Sequence, residues 1–245
     1  MFIINYLSDT MSDRISESTE GIFLVVPAYN EENTVSQIIE GIAERGYNVV
    51  LVNDGSADRT LELATDSKRK YPNQIFVVSH VINRGLGAAL KTGMTVALNK
   101  GAEYIITFDA DGQHEISDIP NVVKPLQMGE ADAVIGSRPF EDMPFSKSFA
   151  NIVMNALTFV FYGRKVKDSQ SGLRAFTAEA AAKINVVSAG YGVSSEFIKE
   201  ISDNNLRLSE VTITTIYTPE TQHKGTDAIV GLKILAKMVI DLFRI

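Results

Sequence analysis

The chain contains no cysteine and no tryptophan among its 245 residues, and it has only three histidines. Without cysteine, it can form neither disulfide bonds nor a thiolate metal site. The histidines, at positions 80, 114 and 223, are widely separated and form no HExxH motif, which argues against a histidine-based metal centre. Oxygen ligands are therefore the remaining candidates for binding a metal.

The chain also lacks a long apolar run. No stretch of about 18 consecutive apolar residues occurs, so we expect no membrane-spanning helix. Residues 1–20 lack the basic start and apolar run of a signal peptide and should form a flexible, polar N-terminal arm. The net charge of −7 argues against nucleic acid as a partner.

Two common nucleotide-binding signatures are missing. No GxxxxGK[ST] loop is present, and the stretch NRGLGAALKTG has Leu90 where a dinucleotide fingerprint requires glycine or alanine. Its glycines, Gly85 and Gly87, fit either a simple helix entry or a contact with phosphate or sugar.

Short apolar runs alternate with helical patterns through the first half of the chain. This alternation predicts an α/β fold in which helices flank a mostly parallel sheet. The predicted strands are 22–27, 48–53, 75–79, 103–108 and 131–137, and the predicted helices are 31–45, 87–100 and one ending at 70 with Ser56 or Asp58 as its N-cap.

The alternation stops after residue 137. We predict a helix at 147–162, a loop containing DSQSG, a helix at 194–203, a strand at 210–217 and an amphipathic helix at 227–245. The chain is thus expected to form one domain at 21–226, with a nucleotide-sugar half at 21–137 and an acceptor half at 138–226.

Polar residues follow four of the predicted strands, at the edge where open parallel sheets bind ligands. The most unusual of these stretches is FDADGQHE, which places Asp109 and Asp111 directly after an apolar strand. In an extended segment, alternating side chains face the same way, so both carboxylates should meet at one point. With the amide oxygen of Gln113, they would suit Mg²⁺ or Mn²⁺, and Gly112 would permit a close approach.

The motifs VVPAYNEENTV, VNDGSADRT, NRGLGAALKTG, FDADGQH, IGSR and DSQSGLRAF occur in that order. Over roughly 22–226, the chain therefore resembles family 2 glycosyltransferases of the GT-A fold, in the branch of dolichyl- and polyprenyl-phosphate sugar synthases. The resemblance implies an inverting, metal-dependent enzyme that moves a hexose from a UDP- or GDP-sugar to a polyprenyl or dolichyl phosphate. It distinguishes neither the base nor the hexose, and it gives no oligomeric state.

The resemblance also implies roles for individual residues. The metal that bridges the donor diphosphate would be held by Asp109, Asp111 and Gln113. The nucleotide sugar would be bound by Pro27, Tyr29, Glu31, Asp54, Arg84, Gly85 and Ala110 together with the two aspartates. The phosphates would approach Ser137 and Arg138. The loop flanking the reacting centre would contribute Asp168, Ser171, Gly172 and Arg174.

A phosphate acceptor must approach an anionic donor. Two unit charges about 5 Å apart at an effective dielectric of about 20 repel by about 3 kcal/mol, so cations are needed on the acceptor side. The candidates are Arg138, Lys147, Arg174 and Lys224, with Ser171 as a neutral ligand. For Lys147 a solvated surface base is the favoured alternative, because the segment SRPFEDMPFSK is shorter than in many members of the family that it resembles.

Two acids remain open to two interpretations. Asp168 fits either orientation of the acceptor or capping of the following turn. Glu196 fits either a ligand of a sugar hydroxyl or an ordinary acid in the first turn of a helix.

The basic amphipathic stretches 149–167 and 227–245 predict contact with a membrane surface. The expected enzyme is peripheral, on the cytoplasmic face, although the last helix could instead pack on the core or on a second copy. A transferase acting on an oligosaccharide or protein, and a non-catalytic nucleotide-binding module, are the alternative functions. The absence of tryptophan argues against a processive synthase, which would carry a QxxRW element.

Overall fold

A computed structural model describes residues 19–143, 145–186 and 192–216 of the chain. Its strands are β1 Ile22–Ala28, β2 Asn48–Asn53, β3 Ile75–Ser79, β4 Tyr104–Thr107, β5 Ala133–Ser137, β6 Arg174–Thr177 and β7 Leu208–Thr212. Its α-helices are α1 Val35–Glu44, α2 Thr60–Lys70, α3 Leu86–Asn99, α4 Ile119–Gln127, α5 Phe145–Tyr162, α6 Ala178–Lys183 and α7 Gly192–Asp203.

The seven strands form one mixed sheet in the order β3-β2-β1-β4-β6-β5-β7. Strands β1 to β4 pair in parallel, and β5 pairs in parallel with β7. Every residue of β1 is buried, as expected for a parallel strand covered by helices on both faces. The predicted α/β domain with a mostly parallel sheet is confirmed.

Two apolar layers sandwich the sheet. Helices α1, α2 and α4 pack on one face, and α3, α6 and α7 pack on the other. Helix α3 lies very close to β1, because a Cβ on Gly93 would come within 2.3 Å of the Val25 side chain. This close packing holds the start of α3, and the loop before it, against the carboxyl edge of the sheet.

Strand β6 is not predicted from the sequence. It runs antiparallel between β4 and β5, and it pairs Arg174 with Thr107 on one side and with Ile135 on the other. The sequence predicts no element at 174–177, because β6 is only four residues long and begins with a charged residue. The two predicted halves of the domain therefore share a single sheet.

Several predicted boundaries were also wrong. Helix α1 begins at Val35 rather than at 31, because residues 31–34 form a turn. Helix α2 begins at Thr60, whose backbone N–H donates to the Asp58 carboxylate, while Arg59 occupies the N-cap. Strand β7 ends at Thr212 rather than at 217. Most of the predicted N-terminal arm (1–18) and the predicted helix 227–245 lie outside the described residues.

Candidate active site

The turns after β1, β2 and β4 are joined by side-chain hydrogen bonds at one edge of the sheet. The Asn30 N–H donates to Ser56 Oγ at 3.0 Å, and Asn30 Oδ1 accepts from the Ala57 N–H at 2.9 Å. The Thr34 hydroxyl donates to the Ala110 carbonyl at 2.6 Å and so ties the first turn to the acidic turn. The polar residues that follow separate strands are thus assembled into one surface.

Asp109 and Asp111 lie in a turn that begins after β4, rather than in the extended segment that the sequence predicts. Burial raises the pKa of Asp111, and the negative charge of Asp109 raises it further. Burial also acts to raise the pKa of Asp109, but His114, Arg174 and Arg138 outweigh it and hold that pKa below its usual value. The negative charge of Asp109 thus acts directly on Asp111.

The donor set at this turn fits a hard divalent cation. Two interacting carboxylates are stabilised by a cation between them, and oxygen ligands suit Mg²⁺ or Mn²⁺. The Gln113 side chain donates its amide N–H to Asp111 Oδ2, so the amide would have to turn to offer its oxygen. Among the described residues, no three His, Asp or Glu side chains lie so that they could hold a metal ion together.

His114 contacts the acidic pair from the protein side. Its ring is buried against Phe108, with centroids 5.6 Å apart, and its Nε2 lies 3.5 Å from Asp109 Oδ2. The wide spacing of the three histidines argued against a metal site and gave no role to His114. The position of His114 three residues after Asp111 was the available signal for a contact with this turn.

Arg138 and Asp168 form a buried, forked ion pair. Arg138 Nε donates to Asp168 Oδ2 at 2.6 Å, and its terminal nitrogen donates to Oδ1 at 3.0 Å. The Asp168 side chain is fully buried, and it also accepts the backbone N–H groups of Arg138 and Gln170. Asp168 thus caps the turn and orients Arg138, and no face of its carboxylate is exposed to an acceptor.

Arg174 places a second guanidinium beneath the site. It is 2% exposed, lies 4.9 Å from the Phe197 ring centroid and donates to Ser194 Oγ at 2.8 Å. Burial lowers its pKa to about 10, although Asp109 and Asp168 act in the opposite direction. Among the described residues, no group hydrogen-bonds to its Nε, and no carboxylate forms an ion pair with it.

The segment before β6 touches the acidic turn directly. A Cβ on Gly172 would lie 1.8 Å from Asp109 Oδ2, so only glycine fits at this position without displacement of the carboxylate. Ser171 is buried beside it, and no hydrogen-bond partner of its hydroxyl lies among the described residues. Gly172 therefore lies against the acidic turn, whereas Arg174, expected in the same loop, is the first residue of β6.

Asp54 is hydrogen-bonded to the loop before α3. Its Oδ1 contacts His80 Nδ1 at 2.6 Å and accepts the Arg84 N–H at 2.9 Å, while its Oδ2 accepts the Gly85 N–H at 2.7 Å. The side chain is 5% exposed. Asp54 therefore holds the loop before α3, and the backbone N–H groups of Arg84 and Gly85 point inward to it instead of toward a ligand.

The remaining predicted residues are dispersed around this edge. Pro27 is buried in β1, Tyr29 is half exposed beyond it, and Glu31 lies in the following turn. The Ser137 hydroxyl donates to Glu210 Oε1 at 3.0 Å. Glu196 is in the first half of α7, Lys147 is in α5, and Lys224 lies outside the described residues.

Helix α5 presents an apolar face to solvent. Its exposed residues recur with helical period on one side, and Val160 is 73% exposed and Phe159 54%. The face consists of Ile152, Val153, Ala156, Phe159 and Val160. Arg164, Lys165 and Lys167 follow directly after the helix. No helix in the described ranges is both long and apolar enough to cross a membrane.

Comparison with known proteins adds independent findings. A family model described as glycosyl transferase family 2 matches residues 23–184. An uncharacterized protein of Methanocaldococcus jannaschii is 44% identical over 228 residues, which cover 90% of this chain and 91% of that protein. The UDP-N-acetylglucosamine–dolichyl-phosphate N-acetylglucosaminyltransferase of Methanococcus voltae is 35% identical over 238 residues, which cover 89% of this chain and 95% of that enzyme.

A solved structure shares the fold. It is glucosyl-3-phosphoglycerate synthase from Mycobacterium tuberculosis in complex with Mn²⁺, UDP and glucosyl-3-phosphoglycerate. It matches with a TM-score of 0.68 at 19% identity, covering 93% of this chain and 82% of that one. The likeness confirms the predicted GT-A architecture.

Proposed function

The chain belongs to glycosyl transferase family 2, and we propose that it transfers a sugar from a nucleotide sugar to a polyprenyl or dolichyl phosphate. Membership of the family makes it a glycosyltransferase. The acceptor and donor classes in this proposal draw support from the Methanococcus voltae relative, whose name specifies UDP-N-acetylglucosamine and dolichyl phosphate. The reaction proceeds with inversion at the sugar carbon, as the resemblance to the family branch implies.

The observation that carries the proposal is the pair of guanidiniums next to the acidic turn. Arg138 is held in a fixed orientation by Asp168, and Arg174 is buried without an ion-pair partner among the described residues. A buried cation of this kind is costly unless an anion approaches it. A phosphate monoester, which carries between one and two charges near neutral pH, would supply that anion.

The acidic pair and the two arginines have different roles in the proposed reaction. The acidic pair suits a divalent cation, which when bound would neutralise the diphosphate leaving group. The arginines would offset the repulsion between the acceptor phosphate and the donor, estimated above at about 3 kcal/mol. Because the acceptor oxygen is already anionic, this arrangement needs no strong general base. That agrees with Asp168 being fully occupied by Arg138 and by two backbone N–H groups.

A lipid phosphate must be taken from a bilayer, and the apolar face of α5 supports that step. An amphipathic helix with bases at its end can lie in the headgroup region of a membrane. We therefore propose that the enzyme works at the cytoplasmic surface of a membrane, with α5 in contact with it.

The test is a transfer assay with the purified full chain. UDP-N-acetylglucosamine, UDP-glucose, GDP-mannose and other labelled sugar nucleotides are each incubated with polyprenyl phosphate in the presence of Mg²⁺ or Mn²⁺. We expect one donor to give a lipid-phosphate-linked sugar, with activity lost in excess EDTA. Transfer to a protein or free oligosaccharide in place of the lipid phosphate would contradict the acceptor, and full activity in EDTA would contradict the metal.

A further inference from the structure

We infer that His80 is a positioning residue for the donor site, which it serves by locking the loop 80–85 onto Asp54. The inference rests on the proposed function, because it assumes that the loop before α3 contributes to binding of the nucleotide sugar. His80 itself makes no contact with the ligand. It acts through Asp54 and through the backbone of Arg84 and Gly85.

Asp54, His80 and Thr92 form a continuous hydrogen-bonded chain. His80 Nδ1 contacts Asp54 Oδ1 at 2.6 Å, and His80 Nε2 contacts Thr92 Oγ1 at 3.0 Å. The His80 side chain is 8% exposed. Because a carboxylate oxygen only accepts hydrogen bonds, Nδ1 carries a hydrogen and donates it to Asp54. The chain links the turn after β2 to helix α3.

The loop that this chain supports is shaped by close backbone contacts. Gly85 has a φ of 88°, which turns its N–H toward Asp54. Gly55 has a φ of 70°, and a Cβ there would lie 2.5 Å from the backbone nitrogen of Asn83. The loop therefore rests directly on the turn after β2, with no side chain between them.

The backbone N–H groups of Arg84 and Gly85 point inward to Asp54, while the Arg84 side chain is exposed to solvent. Arg84 and Thr92 both line a groove of about 440 Å³ along α3. Holding the backbone of Arg84 in place restricts the positions at which its guanidinium can meet an anion. Asp54 and His80 provide that support from below, so loss of the His80 contact should loosen the position of Arg84 without removing any group that touches the donor.

A matched set of variants tests the inference. In His80→Asn the amide nitrogen replaces Nδ1 and can still donate to Asp54. In His80→Gln the amide lies near the position of Nε2, so the contact with Thr92 can remain while the one with Asp54 is lost. Thr92→Val removes the other end of the chain at nearly constant volume, and Thr92→Ser restores it. Arg84→Met serves as the reference for loss of the side chain that the loop carries.

The readouts are the dissociation constants of UDP and GDP measured calorimetrically with Mn²⁺, the donor and acceptor KM values, and the melting temperature. We expect His80→Gln to weaken nucleotide binding and raise the donor KM about tenfold, the size expected when a carboxylate loses a hydrogen-bond partner. His80→Asn should stay within about threefold of the unaltered protein, as should Thr92→Ser. The acceptor KM and the kcat at saturating donor should change little in all of them.

Three results would contradict the role of His80 or the proposed function. Equal loss of melting temperature in His80→Asn and His80→Gln, with unchanged nucleotide affinity below the transition, would overturn the inference and leave His80 as a core residue. A fall in kcat with unchanged donor KM would overturn it as well. If the unaltered chain binds neither UDP nor GDP, the proposed function itself fails, and that result is distinct from a failure of His80 alone.

Discussion

Gly172 lies so close to Asp109 that a single methyl group on it would overlap the carboxylate, at 1.8 Å from Oδ2. The residue is not in the left-handed region, so alanine is tolerated by the backbone there and the effect of substitution is purely steric. The acidic turn and the segment leading into β6 thus share one contact surface.

Gly172→Ala should displace the Asp109 carboxylate and weaken Mn²⁺ binding at least about tenfold, because a bound cation requires its ligands within a few tenths of an ångström. Titration of Mn²⁺ followed by electron paramagnetic resonance measures this without any assay of transfer. Gly41→Ala, where the nearest atom is the flexible end of Ile116, is the matched control and should bind Mn²⁺ normally. Equal affinity in both variants would contradict a role for the contact.

Asp111→Asn should abolish transfer and leave the fold intact. Burial and the charge of Asp109 raise the pKa of Asp111, so its ionised form destabilises the metal-free protein as pH rises through that pKa. The variant should therefore melt at the same temperature or higher at pH 7 in EDTA. A lower melting temperature would show that Asp111 supports the fold.

Arg174→Met and Arg138→Met should have opposite effects on stability. Removing Arg174 takes away a buried charge without an ion-pair partner among the described residues, so the melting temperature should hold or rise. Removing Arg138 leaves Asp168 buried without its partner, which should cost roughly 3–5 kcal/mol. Thermal melts and calorimetric UDP binding on both variants measure the difference.

Both arginine variants should lose use of the lipid phosphate while Arg174→Met still binds the donor nucleotide. Loss of nucleotide affinity in Arg174→Met, with the acceptor KM unchanged, would indicate that Arg174 belongs to the donor site. Arg138→Met needs measurement well below its melting temperature, so that unfolding is not mistaken for loss of binding.

The Asp132–Arg207 pair gives a pH-dependent contribution to stability far from the site. The Arg207 side chain and backbone N–H hold the pKa of Asp132 below its usual value, so the stabilisation is present above the ordinary carboxylate pKa and is lost as pH falls through the lower folded value. Asp132→Asn should melt about 1–3 °C lower at pH 7, and the difference should shrink below about pH 4. Transfer should be unaffected. A constant difference from pH 3 to pH 7 would contradict the ionic origin.

The apolar face of α5 is testable with liposomes. Phe159→Ser with Val160→Ser should reduce sedimentation with anionic vesicles, and activity toward a long-chain lipid should fall more than activity toward a short, water-soluble polyprenyl phosphate. Met128→Ser removes an exposed apolar residue elsewhere and is the control. Undiminished vesicle binding by the double variant would exclude α5 from the membrane contact.

Truncation before Ile229 tests the predicted C-terminal helix in the same assay. Its stripe of bases should contribute roughly 1 kcal/mol each near an anionic surface, so binding should weaken on truncation and with added salt. Nucleotide binding should survive. Global unfolding on truncation would instead indicate that this segment packs on the core.

The first half of the fold could be predicted because its information is local. Strands β1 to β4 are apolar runs that neighbour one another in the sheet, and the polar turns after them follow from parallel pairing. Strand β6 could not be predicted, because its four residues form a strand only between β4 and β5, which are distant in sequence. Its stability comes from non-local pairing that no local pattern encodes.

The same distinction applies to the site. Asp109 and Asp111 could be recognised from the sequence because they lie two residues apart. Whether Asp168 orients the acceptor or caps a turn could not be decided from the sequence, because the answer depends on its contact with Arg138, thirty positions earlier. A fully buried carboxylate requires a cation, but burial is known only after the chain has folded. His80 was missed for the same reason, since its role depends on Asp54, a residue 26 positions away that it contacts in space.

The position of β6 also determines when the sheet can be completed while the chain is being synthesised. Strands β4 and β5 leave the ribosome first, and neither has its central partner until residue 177 has emerged. Until then, both present unpaired edges and apolar faces, which are the usual sites of misassociation between nascent chains. The segment that forms β6 and the residues just before it also carry Gly172 and Arg174. Pairing of β6 between β4 and β5 therefore completes the sheet and the surroundings of Asp109 and Asp111 at the same time. A chain interrupted before that point should be an aggregation-prone fragment rather than a nucleotide-binding half.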